Sequence, residues 1–470
     1  MNTPALTSSP SQTTGLAPGK RLLAVFATWG LLLLAQPGWF HQDGFGWLAM
    51  VALVPWAWAA SQPGPRAKSV EWLGATFGLC GYAYWMRYLL PWAVFPMGAV
   101  PALYMVGAGV LLRRLARRFP LALAAPLAWV TGEAVRFGLD APLSFGWWRL
   151  GTLSHAQVWF ASGARVFGVW GLSVAMAAFA GWIADRLRGA SAVGSVRLSY
   201  GVGLGVPLLV IAAGWFTSPP AMVDGPRVMV VTPGLEQKLK AHAEDYLQVR
   251  LIDPYQLLAD GIEAARAAGE PSPDLVCLGE TMLPGISIAS DVWPALESGV
   301  NAPGFAGRIW SLDELQASQD MLQYAVDLAL GRALPSQKLL SRYPQPWLRA
   351  AAQGTPPIPP GASLFGGVEA MVVRDGALWR MNAAQIWNPE GQPGPVASKV
   401  HLVPAAENPY PAAYLPWLLR IIQSVGGYIP DFVTNGVSAV LPFTGRDGRT
   451  WRAGVLICYD NSYDDPFLGV

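Results

Sequence analysis

Seven long apolar runs in the first 218 residues constrain the fold of this 470-residue chain more than any other feature. A bilayer core needs about 17–25 apolar residues per helix. Such runs form helices rather than barrel strands in a Gly- and Ala-rich context, because backbone in lipid must satisfy its own hydrogen bonds. We predict an all-α membrane bundle of about seven transmembrane helices, with approximate cores at 22–37, 45–60, 72–90, 97–112, 119–138, 166–184 and 199–217.

The two parts of the chain differ in charge. Residues 1–218 contain 15 Lys+Arg and 5 Asp+Glu, whereas residues 219–470 contain 17 and 25. The first part also holds 15 of the 22 Trp, a residue that favours membrane–water interfaces. We predict a cytoplasmic tail over 1–20, a transmembrane domain over 21–218 and a water-soluble domain over 219–470. No basic stretch interleaved with aromatic residues indicates nucleic-acid binding.

The positive charges between the apolar runs predict the orientation, because Lys and Arg accumulate on the cytoplasmic side. Clusters of Lys and Arg precede the first run and follow the second, fourth and sixth runs, so every cluster falls on one face of the membrane. The N-terminus is then cytoplasmic, and an odd number of crossings places 219–470 on the periplasmic side of a bacterial inner membrane. The charges are Lys20, Arg21, Arg66, Lys68, Arg113, Arg114, Arg117, Arg118, Arg186, Arg188 and Arg197.

The second part of the chain has the pattern of an α/β domain. Val228–Val231 and Leu275–Leu278 are predicted as buried strands, with a helix of charged faces over 237–268 between them. The weakly patterned stretch 286–360 is predicted to be an insertion with one helix near 312–330. Further β segments are predicted at 364–373, 383–387, 398–403, 437–441 and 451–459, the last two forming a hairpin.

Three reactive side chains lie at or near the predicted strand ends. Glu280 follows the strand Leu275–Leu278, Lys399 lies among β-formers, and Cys458 ends an apolar strand. Together they could carry out acyl transfer through a thioester, without a histidine. Cys458 would be the nucleophile, its pKa lowered by a nearby ammonium. Glu280 would be the general base, and Lys399 would stabilise the tetrahedral oxyanion.

Each residue also has a plainer interpretation. A lone cysteine is usually a small packing residue, a lone lysine a solvated charge, and a glutamate after a strand a cap. His401 is predicted to have a structural role. Cys80 and Cys277 are predicted to be buried, and no cysteine or histidine spacing indicates a disulfide framework or a metal site. We expect no cofactor.

The combination resembles the nitrilase (carbon–nitrogen hydrolase) superfamily, whose Glu–Lys–Cys triad follows the same chain order. Nearly the whole chain is similar to the apolipoprotein N-acyltransferase family. The segments that carry this resemblance are Pro126-Leu127-Ala128-Trp129 through Glu133 and Arg136, Phe167-Gly168-Val169-Trp170-Gly171-Leu172-Ser173, Glu280-Thr281-Met282-Leu283-Pro284, Lys399-Val400-His401-Leu402-Val403-Pro404, and Gly454 to Tyr459.

The resemblance implies a nitrilase-like αββα sandwich and further active-site residues. Glu407 falls where the family has a second glutamate, and Tyr459 matches a tyrosine that follows the nucleophile. Asp460 stands where Glu is usual. The segment Ala405-Ala406-Glu407-Asn408 differs from the family's Phe-Gly-Glu-Tyr.

The implied reaction is a ping-pong N-acylation in the cell inner membrane. Cys458 takes an acyl chain from a membrane phospholipid and passes it to the N-terminal diacylglyceryl-cysteine of an apolipoprotein. We expect a monomer. The apolar stretch 410–428 is predicted either to dip into the membrane interface and admit acyl chains or to be a core-facing helix.

The length of the chain after the nucleophile differs from the family's. Relatives continue with further strands and a last membrane helix, whereas this chain has twelve residues after Cys458. We therefore expect a truncated α/β domain that is poorly stable or inactive in this form. Two other functions stay open: a membrane-tethered nitrilase-type amidase, and a non-catalytic lipoprotein-binding remnant.

Overall fold

The computed structural model describes residues 15–38, 40–88, 91–138, 146–189, 195–234, 246–300, 311–374, 376–403, 407, 417, 420, 424 and 432–463. These residues form two compact units, which divide between Ala221 and Met222. The first unit is helical and the second is built on a mixed β-sheet.

The helical unit contains nine α-helices within the described residues, joined in places by short 3₁₀ turns. Many of the residues in its core are alanine or glycine, which let helices approach closely. A Cβ on Gly78, for example, would lie 2.5 Å from ring atoms of Trp29. The helices are α1 (Pro18–Ala35), α2 (Ala49–Ala52), α3 (Val54–Ala60), α4 (Ala67–Tyr82), α5 (Val94–Leu115), α6 (Leu121–Gly138), α7 (Val158–Ala161), α8 (Ala164–Arg188) and α9 (Val196–Phe216).

Four helical segments of this unit are long and apolar enough to cross a membrane: Pro18–Ala35, Pro91–Leu115, Ala164–Arg188 and Val196–Phe216. The other three predicted spans coincide with helices that miss this criterion among the described residues. Gly46–Ala60 and α4 are shorter, and α6 carries Glu133 and Arg136. The length and apolar character of the helices therefore support four of the seven predicted spans, and the count of seven stays a prediction.

A buried cluster of charges ties together helix ends in this unit. Arg21 and Arg113 both donate to Glu71; the Arg21 Nη1 to Glu71 Oε1 distance is 2.9 Å. Arg21 also donates to the carbonyl oxygens of Ala59 at 2.9 Å and Gln62 at 2.7 Å. One carboxylate therefore serves two guanidinium groups, and backbone carbonyls accept further N–H groups. We call Arg21, Glu71 and Arg113 the arginine cluster.

The second unit is organised around a six-stranded sheet in the order β1-β2-β4-β5-β6, with β3 paired to β4. Strands β1 to β4 pair in parallel, and β4, β5 and β6 are antiparallel. Strands β7 and β8 form a separate hairpin. The strands are β1 (Val228–Val231), β2 (Leu275–Leu278), β3 (Ile286–Ile288), β4 (Ser363–Arg374), β5 (Ala377–Trp387), β6 (Pro393–Ser398), β7 (Val440–Thr444) and β8 (Thr450–Gly454).

The two faces of this sheet are covered by different elements. Helices pack on one face, around core residues such as Val276 and Val368. The β7–β8 hairpin packs on the other face, where Leu441 and Ile457 meet Leu275. The helices of this unit are α10 (Asp253–Ala267), α11 (Trp293–Glu297), α12 (Leu312–Ala329), α13 (Gln337–Arg342) and α14 (Pro346–Ala352), with a π-helical turn at Gln248–Ile252.

A single aspartate fastens the hairpin to the start of the sheet. Asp274 accepts from the backbone N–H of Arg446, in the hairpin turn, at 2.7 Å. Its other oxygen accepts from the N–H of Arg227, just before β1, at 2.8 Å. The hairpin that leads into Cys458 is thereby held at its far end.

The prediction of a buried strand at Val228–Val231 is correct in position and wrong in burial. Val228 is 49% exposed and Val230 is 71% exposed. The reason is that, among the described strands, β1 pairs only with β2 and lies at the end of the strand order. Of the predicted helix 237–268, the part over 237–245 lies outside the described residues.

Three further segments differ from the sequence pattern. Described residues of the stretch 286–360 contribute β3, four helices and core residues such as Leu322, so they are part of the domain's core. The strand predicted at 398–403 shares only Ser398 with β6, which ends at that residue. The predicted strand 451–459 ends at Gly454. Lys399 lies one residue beyond β6, where its backbone N–H still donates to the carbonyl of Asn382 in β5, and Cys458 lies four residues beyond β8.

Candidate active site

Glu280 lies in a tight turn directly after β2. The next residue, Thr281, has a left-handed backbone with φ 49°. The turn lies against Gly367 of β4, where a Cβ would come within 2.5 Å of the Thr281 nitrogen and 2.7 Å of the Glu280 Cα. Because Gly367 has no side chain, the Glu280 backbone can pack directly against β4.

Lys399 follows the last residue of β6, and its ammonium is buried. The side chain is 1% exposed. Its Nζ lies 2.9 Å from the Glu407 carboxylate and 3.4 Å from Glu280 Oε1. Its backbone N–H donates to the carbonyl of Asn382 in β5 at 2.8 Å. Lys399 thus joins the two carboxylates from within the protein.

Cys458 begins the 3₁₀ turn Cys458–Ser462, four residues after β8 ends. Its backbone is left-handed, with φ 51°. Its thiol lies close enough to the Glu280 carboxylate for a hydrogen bond, and within electrostatic range of Lys399 and Glu407. The structure therefore brings together the three residues that the sequence singled out.

The surroundings of the thiol keep it protonated at neutral pH. Burial of the sulfur and the Glu280 charge raise the pKa of Cys458 to about 11; Lys399 lowers it, and Glu407 raises it further. The residue as a whole is nevertheless exposed. The sequence predicted a lowered pKa from the ammonium, and that is wrong because burial of the sulfur and two nearby carboxylates outweigh one ammonium.

The same charges act on Lys399 in the opposite direction. Burial alone would lower the pKa of Lys399, but Glu280, Glu407 and Cys458 raise it above its ordinary value. The ammonium therefore stays charged throughout the physiological range. It is a fixed positive charge beside the sulfur.

Asn382 completes the site and was missed by the sequence analysis. Its Nδ2 donates to Oε1 of Glu280 and, at 2.7 Å, to Oε1 of Glu407. Glu407 also accepts from the backbone N–H of Val403 at 2.8 Å. The available sequence signal was a polar residue at the start of the apolar run 383–387, inside a strand where an asparagine is uncommon.

Two comparisons relate the sequence of this chain to known proteins. Residues 29–182 match the family model described as apolipoprotein N-acyltransferase N-terminal domain. The chain is also 24% identical, over 452 residues, to an apolipoprotein N-acyltransferase of Chlorobaculum tepidum; the match covers 92% of this chain and 74% of that protein. The predicted resemblance to apolipoprotein N-acyltransferase is confirmed.

The two matches with apolipoprotein N-acyltransferases cover different parts of the chain. The family model falls entirely within the helical unit. The longer match, because it spans 92% of the chain, includes most of the sheet unit as well. The resemblance therefore extends to the unit that contains Glu280, Lys399 and Cys458.

Asp460, predicted as a supporting residue, joins the two segments that carry Lys399 and Cys458. Its carboxylate is 1% exposed and accepts from the backbone N–H groups of Val400 at 3.1 Å, His401 at 2.6 Å and Ile457 at 3.2 Å. An aspartate is therefore long enough to bridge these segments.

The remaining predicted residues are placed less completely. The Tyr459 side chain lies outside the described part of the structure, as does most of the stretch 410–428. His401 stacks on Tyr463 with ring centroids 3.8 Å apart.

Cys277 lies in β2, where burial raises its pKa to about 11. Among the described residues, no group of three or more His, Cys, Asp or Glu could hold a metal ion.

Proposed function

We propose that this chain is a lipoprotein N-acyltransferase that works through a thioester on Cys458. The acyl donor is a membrane phospholipid, and the acceptor is the α-amino group of an N-terminal diacylglyceryl-cysteine. The observation that carries the proposal is the convergence of Cys458 with the Glu280 carboxylate and with the buried ammonium of Lys399. The resemblance to the Chlorobaculum tepidum apolipoprotein N-acyltransferase supports the choice of substrates.

The first half-reaction forms the thioester. Glu280 accepts the thiol proton as the sulfur attacks the ester carbonyl carbon of the phospholipid, so the thiol need not be ionised beforehand. The Lys399 ammonium stabilises the negative charge that develops on the carbonyl oxygen. When the carbon–oxygen bond to glycerol breaks, Glu280 returns the proton to the leaving oxygen and a lysophospholipid departs.

The second half-reaction transfers the acyl group to nitrogen. The neutral α-amino group of the lipoprotein attacks the thioester carbonyl, and Glu280 accepts a proton from the nitrogen. The carbon–sulfur bond breaks, and the sulfur recovers its proton from Glu280. The products are an amide and the free thiol, so the enzyme returns to its initial state.

The helical unit supports a membrane location for this chemistry. Both substrates are lipids, and the described part of the unit contains four helices of spanning length and composition. The arrangement of Lys and Arg between the apolar runs supports an inner-membrane protein whose sheet unit faces the periplasm.

The proposal is tested by incubating the full chain in detergent with a phospholipid that carries an isotope-labelled acyl chain. Mass spectrometry should find the labelled acyl group on Cys458, and a diacylated lipopeptide added afterwards should remove it and become N-acylated. Cys458→Ala should show no adduct, whereas Cys277→Ala should behave as the wild type. Labelling of Cys458 by amides but never by phospholipids would refute the proposal and favour the amidase.

A further inference from the structure

We propose that Asn382 is a positioning residue that holds the general base Glu280 in its reactive orientation. This inference rests on the proposed function. It adds to that function a residue that contacts neither the thiol nor a substrate, and that acts through the two carboxylates it connects.

The amide of Asn382 lies between two carboxylates. The residue is in β5 and is 2% exposed. Its Nδ2 carries two N–H groups, and it donates to Glu280 and to Glu407. An ionised carboxylate only accepts hydrogen bonds, so chemistry fixes which end of the amide faces the pair. The asparagine therefore uses its whole donor capacity on the active site.

Asn382 and Lys399 connect the same two carboxylates by separate routes. Lys399 Nζ lies 3.4 Å from Glu280 Oε1 and 2.9 Å from Glu407 Oε1. The backbone also links the two residues, because the Lys399 N–H donates to the Asn382 carbonyl. A closed ring of four side chains results, and β5 is its rigid side.

The other end of the amide argues that this arrangement serves the reaction. The Oδ1 atom of Asn382 is buried and has no hydrogen-bond partner among the described residues. Burying an acceptor in this way is unfavourable. An asparagine with a purely structural role would be expected to satisfy both ends, whereas this one satisfies the end that faces the carboxylates.

Loss of the amide donors should affect the base in two ways. A carboxylate that loses a donor to its charged form takes up a proton more easily. It also becomes free to rotate away from the thiol, and misplacing a catalytic group by about 1 Å can lower a rate about 100-fold. Both effects act on the proton transfer from Cys458.

The experiment compares Asn382→Leu, which is nearly isosteric and lacks donors, with the wild type. The control is Asn388→Leu, at a partly buried asparagine directly after β5. The full chain in detergent is mixed with p-nitrophenyl butyrate, and the burst of p-nitrophenol reports acylation of Cys458. The burst is recorded as a function of pH. Thermal unfolding of each variant is measured in parallel.

We expect Asn382→Leu to lower the burst rate about 100-fold and to move its acid limb to higher pH. Its unfolding midpoint should stay within about 4 °C of the wild type, because the unpartnered Oδ1 is removed as well. Asn388→Leu should leave the burst unchanged. If Asn382→Leu kept the wild-type rate and acid limb, the inference would be wrong.

Two further outcomes separate this inference from the proposed function. If Asn382→Leu unfolds, Asn382→Asp provides the second variant, since it keeps the shape and replaces the donors with acceptors; a folded Asp variant with a normal burst overturns the inference. A shifted burst in a protein whose Cys458 never accepts phospholipid acyl groups would support the positioning role and refute the phospholipid donor.

Discussion

The two units of this molecule bury charged side chains in opposite proportions. In the arginine cluster two cations share one anion, and the side chains of Arg21 and Glu71 are 0% and 3% exposed. In the candidate site two anions share one cation; Lys399 is 1% exposed, but Glu280 is 32% exposed. The first cluster is closed to solvent, and the second opens at the carboxylate that contacts a thiol.

This difference teaches how a structural ion cluster differs from a reactive one. In the helical unit the donors are directed to Glu71 and to backbone carbonyls, so the cluster holds helix ends together. In the sheet unit, the buried residues Asn382 and Lys399 hold Glu280, which is 32% exposed and lies close to the Cys458 thiol. Anchoring on one side and access on the other are what a general base needs.

The largest expected effect comes from removing the cation of the open cluster. Lys399→Met should lower the rate of Cys458 acylation about 1000-fold, because the developing oxyanion loses its positive partner. The burst with p-nitrophenyl butyrate measures this rate. Lys338→Met, at an exposed lysine of α13, should leave it unchanged. A Lys399→Met burst near the wild-type rate would show that the ammonium only holds the site together.

The next effect concerns the closed cluster. Glu71→Gln removes the only carboxylate that the structure shows in it and leaves Arg21 buried, which should lower the free energy of unfolding by about 3 kcal/mol. Thermal unfolding in detergent measures the change, and Asp43→Asn, at an exposed carboxylate, is the matched control. The burst rate per folded molecule should not change. A loss of acylation without a loss of stability would contradict the structural role.

A smaller effect is expected at Asp460. Asp460→Asn keeps the shape but replaces one acceptor oxygen with a donor, so at least one of the three N–H groups loses its partner. We expect a cost of about 1–2 kcal/mol in unfolding free energy and a slower burst, because the segments carrying Lys399 and Cys458 loosen. Asp447→Asn in the exposed hairpin turn should have no effect on either measurement. Full stability and rate in Asp460→Asn would exclude the bridging role.

The smallest expected effect is a loss of stability at alkaline pH. The folded protein raises the pKa of Cys458 from 9.0 to about 11, so above pH 9 the unfolded chain loses a proton that the folded chain keeps. Stability therefore falls as the pH rises from 9 to 11. Cys458→Ala should remove part of this fall, and the effect should be small because the residue is exposed. An unfolding free energy with the same pH dependence in both proteins would contradict the raised pKa.

The sequence identified three residues that lie together in the candidate site, but not their geometry. Glu280, Lys399 and Cys458 could be selected because each is a reactive residue beside an apolar strand pattern. Asn382 could not be selected in this way, because its role depends on contacts with two carboxylates. Glu280 lies 102 positions before it and Glu407 lies 25 positions after it. Such contacts come from the pairing of strands, which local pattern does not specify.

The strand patterns were reliable where both faces of the sheet are covered and failed elsewhere. Strand β2 is buried as predicted, because it lies between β1 and β4. Lys399 and Cys458 were expected within or at the end of strands, yet both follow their strands, because turn residues with β-forming neighbours look like strand residues in sequence. The direction of the thiol pKa shift was wrong because the burial of the sulfur and its closeness to Glu280 depend on how the chain folds, which the sequence pattern does not specify.

The left-handed backbone at Cys458 has a practical consequence. A residue with a Cβ is disfavoured there by about 1–2 kcal/mol relative to glycine. Cys458→Gly should therefore give a protein that cannot form the proposed thioester. It should be more stable to unfolding than both the wild type and Cys458→Ala. Such a variant could be used to capture lipid substrates intact, since it would bind them without reacting with them.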